Sequence, residues 1–409
     1  MKTGLALPPF VLSTAILSFA LASCGKAVRL VAPPVFPDSL TQNVYSVNAS
    51  GAAPTGIILT APFPFPANAE AVVPGLLLIM DQDGNVLQKA TTPGSAFDFR
   101  RWIIGGRVRY SCIINDPGAF RTPSLPYYTG YAEVLDSNLN VLSTANFIPA
   151  GAGPFQPGLA LDVHDFILLS DNHYITETTY PKAVTNIPGW LNPAPNIQVE
   201  VPLVEEVDNG SVVWSWDPSS DTSFYGNSVE GNNYSDTTAV QDYIHINAMF
   251  IDPRDSNLVF SFRNQDQIIK VNRQTGATMW RLGGKNSDFP LFSDQVFLRQ
   301  HSPSLVDNNQ TLIIFDDGDA TLRQESRIVE FGLDEENKTV TSFKSFTIPE
   351  PWTQLMGSVQ KMGDEYFIGG GTSNYMLEVN YVTGKKIREF LGSQPSYRSY
   401  KYPTGINIH

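Results

Sequence analysis

A repeated unit runs through most of this chain: a histidine, a short apolar strand, a polar turn of Asp or Asn residues, and a second apolar strand. Three copies begin at His164, His245 and His301, and a fourth carries Ser358 in place of histidine. Successive copies start 81, 56 and 57 residues apart. A period of this length, with several short strands in each unit, is typical of a β-propeller, in which each repeat forms one blade.

Two further units precede the histidine repeats. The segment 75–87 reads as a strand, an Asp-Gly turn and a second strand, which is a strong hairpin signal. Unit starts near Gly75, Arg107, His164, His245, His301 and Ser358 predict an all-β, six-bladed β-propeller over residues 71–409. The long interval after His164 predicts an insertion in the third blade, with Ser219–Gln241 as a rim loop.

The composition agrees with a globular β protein that does not bind nucleic acid. Aromatic residues make up 11% of the chain, and 31 Gly and 30 Pro supply turns. The net charge of −13 argues against nucleic-acid binding, because that function needs Lys and Arg to neutralise phosphates.

The N-terminus reads as a targeting segment. Lys2 precedes an apolar stretch from Leu5 to Ala22, and the sequence Leu-Ala-Ser-Cys that ends at Cys24 resembles a bacterial lipobox. We predict a lipoprotein signal peptide over 1–23, lipidation of Cys24, and a tether with a short β segment over 24–70 as an N-terminal extension of the propeller. An ordinary cleaved signal or an uncleaved anchor is the alternative. The protein is therefore expected in the cell envelope, attached to the membrane by its N-terminal lipid and facing the periplasm or the exterior. The second cysteine, Cys112, is expected to be a buried strand thiol.

The histidines that recur in register predict a functional site. Repeats place equivalent residues at equivalent points, so the imidazoles of His164, His245 and His301 are expected to converge. Asn247 follows His245 by two residues and points to the same face of an extended strand, and Arg263 comes after the next apolar strand. Imidazoles, an amide and a guanidinium without a dense carboxylate cluster favour an anion site.

Four readings of this set remain open from the residues alone. The three histidines could hold zinc with an open fourth position, although Arg263 would be repelled by the cation and no metal-binding motif is present. They could bind a ligand without turnover, or hydrogen-bond strand carbonyls. The reading we favour is catalysis, as a general base or through a covalent imidazole adduct, with no metal and no cofactor.

Several segments resemble the bacterial arylsulfate sulfotransferase family. They include Val163–Leu169, Tyr243–Met249, Arg299–Pro303 and Phe315–Gly318, and the resemblance runs from about residue 70 to the end. Members of that family are six-bladed propellers that transfer a sulfuryl group from a phenolic sulfate to another phenol. They use a ping-pong route and need no nucleotide sulfate donor.

The resemblance also implies roles for single residues. His301 would be the nucleophile that becomes sulfated on nitrogen. His245, Asn247 and Arg263 would bind the sulfuryl oxygens, and His164 would assist at the same centre. Ser358 and Tyr397 would line the substrate site.

The N-terminal segment is too short for the β-sandwich of the best-known members, so the oligomeric state, monomer or homodimer, stays open. The partners implied are small aryl sulfates and phenols. The alternative function is a catalytically silent propeller lipoprotein that binds sulfated or phenolic ligands.

Overall fold

The computed structural model describes residues 44–52, 55–65, 73–119, 122, 127–149 and 159–403. The predicted signal peptide, the predicted lipidation site at Cys24 and most of the predicted tether lie outside these residues. Within the described ranges, no helix has the length and apolar character needed to cross a bilayer.

The regular secondary structure of the described residues is almost entirely β-strand. The first nine are β1 (Tyr45–Ala49), β2 (Gly56–Pro62), β3 (Gly75–Met80), β4 (Val86–Thr92), β5 (Ala96–Ile104), β6 (Arg107–Asn115), β7 (Thr129–Leu135), β8 (Val141–Ala145) and β9 (Leu161–Asp162). The next nine are β10 (Phe166–Ser170), β11 (His173–Val184), β12 (Ile197–Asp208), β13 (Ser211–Trp216), β14 (Gln241–Asp242), β15 (Ile246–Ile251), β16 (Leu258–Phe262), β17 (Gln267–Val271) and β18 (Thr278–Gly283). The last nine are β19 (His301–Val306), β20 (Thr311–Asp316), β21 (Arg327–Asp334), β22 (Thr339–Thr347), β23 (Ser358–Met362), β24 (Glu365–Gly369), β25 (Tyr375–Asn380), β26 (Lys385–Gly392) and β27 (Ser396–Pro403). Short 3₁₀ turns occur at Gly189–Leu191, Pro218–Ser220, Arg263–Gln265 and Gly371–Ser373.

These strands form six sheets, antiparallel except where the short β14 pairs parallel with β12, and the sheets are the six blades of a β-propeller, as the sequence predicted. The strand orders are β27-β2-β3-β4, β5-β6-β7-β8, β10-β11-β12-β13, β15-β16-β17-β18, β19-β20-β21-β22 and β23-β24-β25-β26-β1. In each of these orders the first-named strand is the inner one: β27, β5, β10, β15, β19 and β23. Each inner strand contacts the inner strands of its two neighbours, so the six surround one axis.

The first blade joins the two ends of the described chain. Its inner strand β27 comes from the C-terminal region and pairs antiparallel with β2. Strand β1 pairs with β26 and adds a fifth strand to the last blade. The segment 24–70 therefore contributes strands to two blades, and the blade sheets begin at Tyr45 rather than at residue 71.

Four of the six predicted blade starts coincide with the start of an inner strand, at or within two residues of His164, His245, His301 and Ser358. The other two were wrong. Gly75 begins the third strand of its sheet, and Arg107 begins the second. Both lie in blades whose inner strands carry no histidine to mark them.

The third blade is enlarged, as the repeat spacing predicted. Its two middle strands, β11 and β12, have 12 residues each, and a long turn-rich segment follows β13 before β14. That segment buries its own aromatic side chains, Phe224, Tyr225 and Tyr234, against the core between the third and fourth blades. Burial of these rings fixes the segment that leads directly into His245. Cys112 is a free, fully buried thiol on β6, which confirms the sequence prediction for this residue.

Candidate active site

The three repeat histidines all lie where an inner strand begins, on the same side of the propeller. His164 precedes β10, His245 precedes β15, and His301 is the first residue of β19. The backbone is irregular there: His245, Arg299 and Ser302 have φ values of 55°, 54° and 49°. Left-handed backbone in non-glycine residues is sparsely populated and clusters at functional sites, because the surrounding structure must hold it.

The side chains converge, as the repeat pattern predicted. The ring centroids of His164 and His245 are 4.9 Å apart, in an edge-to-face arrangement. Tyr397 lies between His164 and His301, with its ring centroid 5.7 Å from the first and 6.5 Å from the second. Protonation of His164 or His245, and the charge of Arg263, would each disfavour a proton on His301, so all four groups are within electrostatic range.

Each of the three imidazoles is held through Nδ1 by an aspartate. His164 pairs with Asp162, His245 pairs with Asp242 at 3.1 Å, and His301 pairs with Asp317. A carboxylate on one ring nitrogen fixes the orientation of the ring and leaves Nε2 as the nitrogen available for chemistry. The arrangement is therefore three Asp–His pairs that leave three Nε2 atoms unused by these carboxylates.

The tautomer of His301 follows from its second Nδ1 contact. Nδ1 also lies 3.0 Å from the carbonyl oxygen of Arg299, which can only accept a hydrogen bond. Nδ1 is therefore the protonated nitrogen, and Nε2 carries a lone pair. Burial lowers the pKa of His301 well below its usual value, and the charge of Arg263 lowers it further. Burial also raises the pKa of Asp317, while Arg263 opposes that change. His301 is thus a neutral imidazole with an unprotonated Nε2 near pH 7.

His245 is also neutral for a similar reason. Burial lowers its pKa, and the carboxylate of Asp242 opposes that change. The hydroxyl of Tyr127 lies 2.9 Å from Nδ1 of His245 and 3.0 Å from Asp242, and the Tyr127 ring stacks on the imidazole at 4.9 Å. Burial raises the pKa of Tyr127 well above its usual value, so the phenol stays protonated and can donate to Asp242.

Arg263 reaches the same region from the fourth blade, and it does not act alone. Its backbone nitrogen donates to the carbonyl of His245 at 2.9 Å, which ties it to the histidine cluster. Its Nη1 donates to Glu230 at 3.0 Å, and Nη1 of Arg299 lies 2.5 Å from the same carboxylate oxygen. Nε of Arg263 is buried without a hydrogen-bond partner among the described residues. Two guanidinium groups therefore share one carboxylate of the inserted segment, and Arg299 also pairs with Asp319.

Asn247 and Tyr397 connect the inner strands around the cluster. The Asn247 amide donates to the carbonyl of Gln300, next to His301, at 2.7 Å, and its oxygen is buried without a partner among the described residues. The amide nitrogen has a second hydrogen. The Tyr397 hydroxyl donates to the backbone carbonyl of Asn247 at 2.9 Å, so its ring, not its hydroxyl, faces the imidazoles.

Ser358, the fourth member of the repeat position, is used differently. Its hydroxyl donates to the carbonyl of Ser399 at 2.8 Å and accepts from the nitrogen of Ser399 at 3.1 Å. The side chain is fully buried, and its one hydrogen is engaged by backbone. These contacts join the inner strands of the sixth and first blades, and they do not support the predicted role of Ser358 in binding substrate.

Sequence reasoning missed several residues of the site. Asp242, Asp317 and Tyr127 hold the imidazoles, and Arg299 and Glu230 surround Arg263. A weak signal existed for one aspartate, because Asp242 precedes His245 by three residues as Asp162 precedes His164 by two. Asp317 lies 16 residues after His301, at the end of the neighbouring strand, and only the antiparallel pairing of β19 with β20 brings the two together.

Comparison with known proteins gives one informative match. The family model described as Arylsulfotransferase (ASST) matches residues 164–394, and no curated protein matches the chain significantly. Among solved structures, a protein of unknown function from Bacteroides caccae is 10% identical, with 85% of this chain and 99% of that chain covered and a TM-score of 0.46. The β-propeller domain of Cps50 (Swd1) from Myceliophteria thermophila is also 10% identical, with 86% and 91% covered and a TM-score of 0.43. Structural likenesses this distant carry no argument about activity.

The family match covers more than half of the chain and contains all three histidines, Asn247 and Arg263. It also spans Asp317, the aspartate that holds His301, and Glu230 with Arg299, which surround Arg263. Geometry and family model thus point to the same part of the molecule. The chain belongs to the arylsulfotransferase family.

Proposed function

We propose that this protein transfers a sulfuryl group from a phenolic sulfate ester to a phenolic acceptor, in two steps, through a sulfated His301. The observation that carries the proposal is the state of His301: a buried, neutral imidazole whose Nδ1 is held by Asp317 and the Arg299 carbonyl. Its Nε2 lone pair is therefore available as a nucleophile beside a guanidinium.

In the first step, Nε2 of His301 forms a bond to sulfur while the bond from sulfur to the phenolic oxygen breaks. The bonding electrons leave on the phenolate. A neutral nucleophile brings no negative charge toward the anionic ester, so repulsion is small. The imidazole becomes positively charged as the nitrogen–sulfur bond forms, and the carboxylate of Asp317 at Nδ1 stabilises that charge.

Arg263 supports the charge on the sulfuryl oxygens, together with the free amide hydrogen of Asn247. The guanidinium is paired with Glu230, which is partly exposed and sits on the inserted segment of the third blade. An incoming sulfate ester would compete with this carboxylate for Arg263. The ion pair with Glu230 holds the partly buried Arg263 side chain in place before substrate binds.

In the second step, an acceptor phenol takes the sulfuryl group from His301. A base must remove the phenol proton as its oxygen attacks sulfur, and the nitrogen–sulfur bond then breaks to restore neutral His301. His245 fits this role, because burial keeps it neutral and Asp242 stabilises the imidazolium formed when Nε2 takes the proton. The ring centroid of His164 lies 4.9 Å from that of His245, so His164 can assist in the same proton transfer.

Attachment to the cell envelope through a lipid on Cys24 would place this reaction outside the cytoplasm. A donor that is itself a phenolic sulfate suits that setting, because no nucleotide donor has to be supplied. This part of the proposal rests on the N-terminal sequence alone.

The direct test is the mass of the intact protein after brief incubation with 4-nitrophenyl sulfate and no acceptor. Wild type is expected to gain one sulfuryl group and to release nitrophenol in a burst, and His301→Ala is expected to do neither. Addition of a phenol should then remove the adduct and yield the sulfated acceptor.

Other outcomes would contradict the proposal. An adduct that still forms in His301→Ala would show that His301 is not the nucleophile. Binding of the ester without nitrophenol release would favour the silent ligand-binding propeller, and steady release without an adduct would indicate direct hydrolysis.

A further inference from the structure

Two groups of three metal-competent side chains occur in the described residues, and they differ in what neutralises them. One consists of Asp252, Asp255 and Glu335. The buried ammonium of Lys270 lies 2.7, 2.7 and 2.9 Å from their three carboxylates. A protein cation already occupies the centre of this group, so it needs no metal.

The other group has no such cation. It consists of Asp162, His164 and Glu177, and each offers a ligand atom within 4.8 Å of the other two. Glu177 is fully buried, and neither of its carboxylate oxygens has a hydrogen-bond partner among the described residues. Oδ2 of Asp162 is buried and unpartnered in the same sense, while Oδ1 accepts from the backbone nitrogen of His164 and contacts Nδ1 of its ring. The guanidinium of Arg398, which is within electrostatic range of Glu177, is already bound by two other aspartates.

The position of this group is fixed by the fold. Asp162 ends β9, which pairs with β7 of the second blade, and Glu177 lies on β11 of the third blade. The Thr178 hydroxyl donates to the Ala160 carbonyl at 2.6 Å and holds the two segments together. Two buried carboxylates that face each other across this seam cannot both stay ionised unless a positive charge joins them.

We infer that Asp162, Glu177 and Nδ1 of His164 form a site for one divalent transition-metal cation of the Zn²⁺ type, at the seam between the second and third blades. Two carboxylates and a neutral imidazole balance the charge of such a cation and leave a fourth position for water. Ca²⁺ and Mg²⁺ prefer oxygen-only sets, so the imidazole selects against them. Ligands about 2.1 Å from a tetrahedral zinc ion stand about 3.4 Å apart, so binding would draw together ligand atoms that now lie within 4.8 Å of one another by up to about 1.4 Å.

This site is distinct from the one formed by the three Nε2 atoms, and its existence does not depend on sulfuryl transfer. If that proposed function holds, the site has a consequence for it. An imidazole that binds a cation through Nδ1 carries its remaining hydrogen on Nε2. His164 would then donate a hydrogen bond at the centre, and proton transfer would fall to His245.

The test uses the full chain, stripped with chelator and titrated with Zn²⁺ under metal-free buffer conditions. We expect wild type to bind one Zn²⁺ per chain, measured by elemental analysis after gel filtration, and its melting temperature to rise with Zn²⁺. Glu177→Gln keeps the shape of the side chain and should weaken binding by at least about tenfold. Glu133→Gln, which removes another buried strand carboxyl in the second blade, should bind as wild type does.

Three results would overturn the inference. Wild type could bind no Zn²⁺. A Glu177→Gln variant that melts at a higher temperature than wild type would then indicate that a shared proton joins the two carboxylates. Glu177→Gln could bind Zn²⁺ as tightly as wild type, which would place the metal elsewhere. Glu133→Gln could lose binding equally, which would mean a general effect of burial. Neither readout requires turnover, so failure of the sulfotransferase proposal would leave the result interpretable.

Discussion

Two buried polar clusters lie side by side among the inner strands, and they treat their polar groups in opposite ways. The histidine cluster consists of His164, His245 and His301 with their aspartates. The ionic network consists of Arg398, Arg100, Asp98, Asp165 and Tyr400. Arg398 connects the two clusters. Its Nη2 donates at 2.8 Å to the backbone carbonyl oxygen of Asn247, the same atom that accepts from Tyr397.

In the ionic network every charge is matched. Nη1 of Arg398 lies 3.0 Å from Asp98 and 3.0 Å from Asp165, and Arg100 contacts the same two carboxylates at 3.0 and 3.2 Å. Two guanidiniums and two carboxylates from the first three blades cancel. In the histidine cluster each ring is held by one nitrogen only. Balanced charge indicates a structural role, and ring nitrogens that converge outside the Asp–His pairs indicate a reactive one.

The largest expected effect is on the structural side. Arg398→Met removes the shared cation and leaves Asp98 and Asp165 undercompensated, so we expect the free energy of unfolding to fall by about 3–5 kcal/mol. Arg109→Met is the matched control: Arg109 holds the half-exposed Asp171 through two hydrogen bonds of 2.7 and 2.9 Å, and loss of such a surface pair costs about 1 kcal/mol or less. Denaturant unfolding measures both. Equal losses would erase the distinction between a network and a surface pair.

Substitution of Arg263 tests whether its charge supports the reaction at the histidine cluster. Arg263→Gln should reduce sulfuryl transfer by about 10²–10³-fold, because a donor to the developing charge is lost. The variant should also move the acidic limb of the pH profile upward. Arg263 lowers the pKa of His301, so without it His301 takes up a proton at higher pH and loses its nucleophilic lone pair sooner.

Arg263→Lys keeps the charge and should leave that limb in place while still losing activity. The sign is the same for folding: a histidine whose pKa is lowered by burial binds protons mainly when unfolded. Stability should therefore decrease as pH falls below about 6.5, the ordinary imidazole value. A limb that stays fixed in Arg263→Gln would show that another group titrates.

Adjacent aspartates in the fifth blade give the next comparison. Asp317→Asn should slow adduct formation by about 10- to 100-fold, because a neutral Asn does not stabilise the imidazolium that forms on His301. Asp316 binds Arg327 at 2.7 Å and also Arg323, so Asp316→Asn should cost stability and leave the rate of the chemical step unchanged. Single-turnover release of nitrophenol and thermal melts distinguish the two. A rate loss that merely tracks the melting temperature would make Asp317 a structural residue.

Local sequence pattern predicted the part of the fold that repeats. Histidines marked the inner strands of the third, fourth and fifth blades, and Ser358 marked the sixth. The start of the first blade was predicted wrongly because its inner strand, β27, comes from the opposite end of the chain. Pairing of β2 with β27 has no local sequence signature. Hence Gly75 looked like the start of a blade when it begins the third strand.

The sequence predicted the site residues that occupy repeat positions, but not the residues that hydrogen-bond to them. The three imidazoles and Arg263 follow from repeat position, but their partners come from other strands. Asp317 reaches His301 across a β-hairpin, and Glu230 reaches Arg263 from the inserted segment. Identity at the repeat position did not fix the role either, because Ser358 meets the backbone of the first blade instead of the imidazoles.

Ser358→Ala, the smallest expected effect, separates repeat position from role. Loss of a buried hydroxyl that bridges backbone groups of Ser399 should cost about 0.5–1.5 kcal/mol of stability. Ser326→Ala is the matched control: the Ser326 hydroxyl shares its one hydrogen between the backbone carbonyls of Asp317 and Thr353 and accepts from the nitrogen of Thr353, so its loss should cost a similar amount. Because the Ser358 hydroxyl has already given its only hydrogen to a strand carbonyl, KM for the sulfate donor should stay within about twofold of wild type. A tenfold rise in KM at unchanged stability would instead place Ser358 in the substrate site, and the fourth repeat position would then belong with the histidines after all.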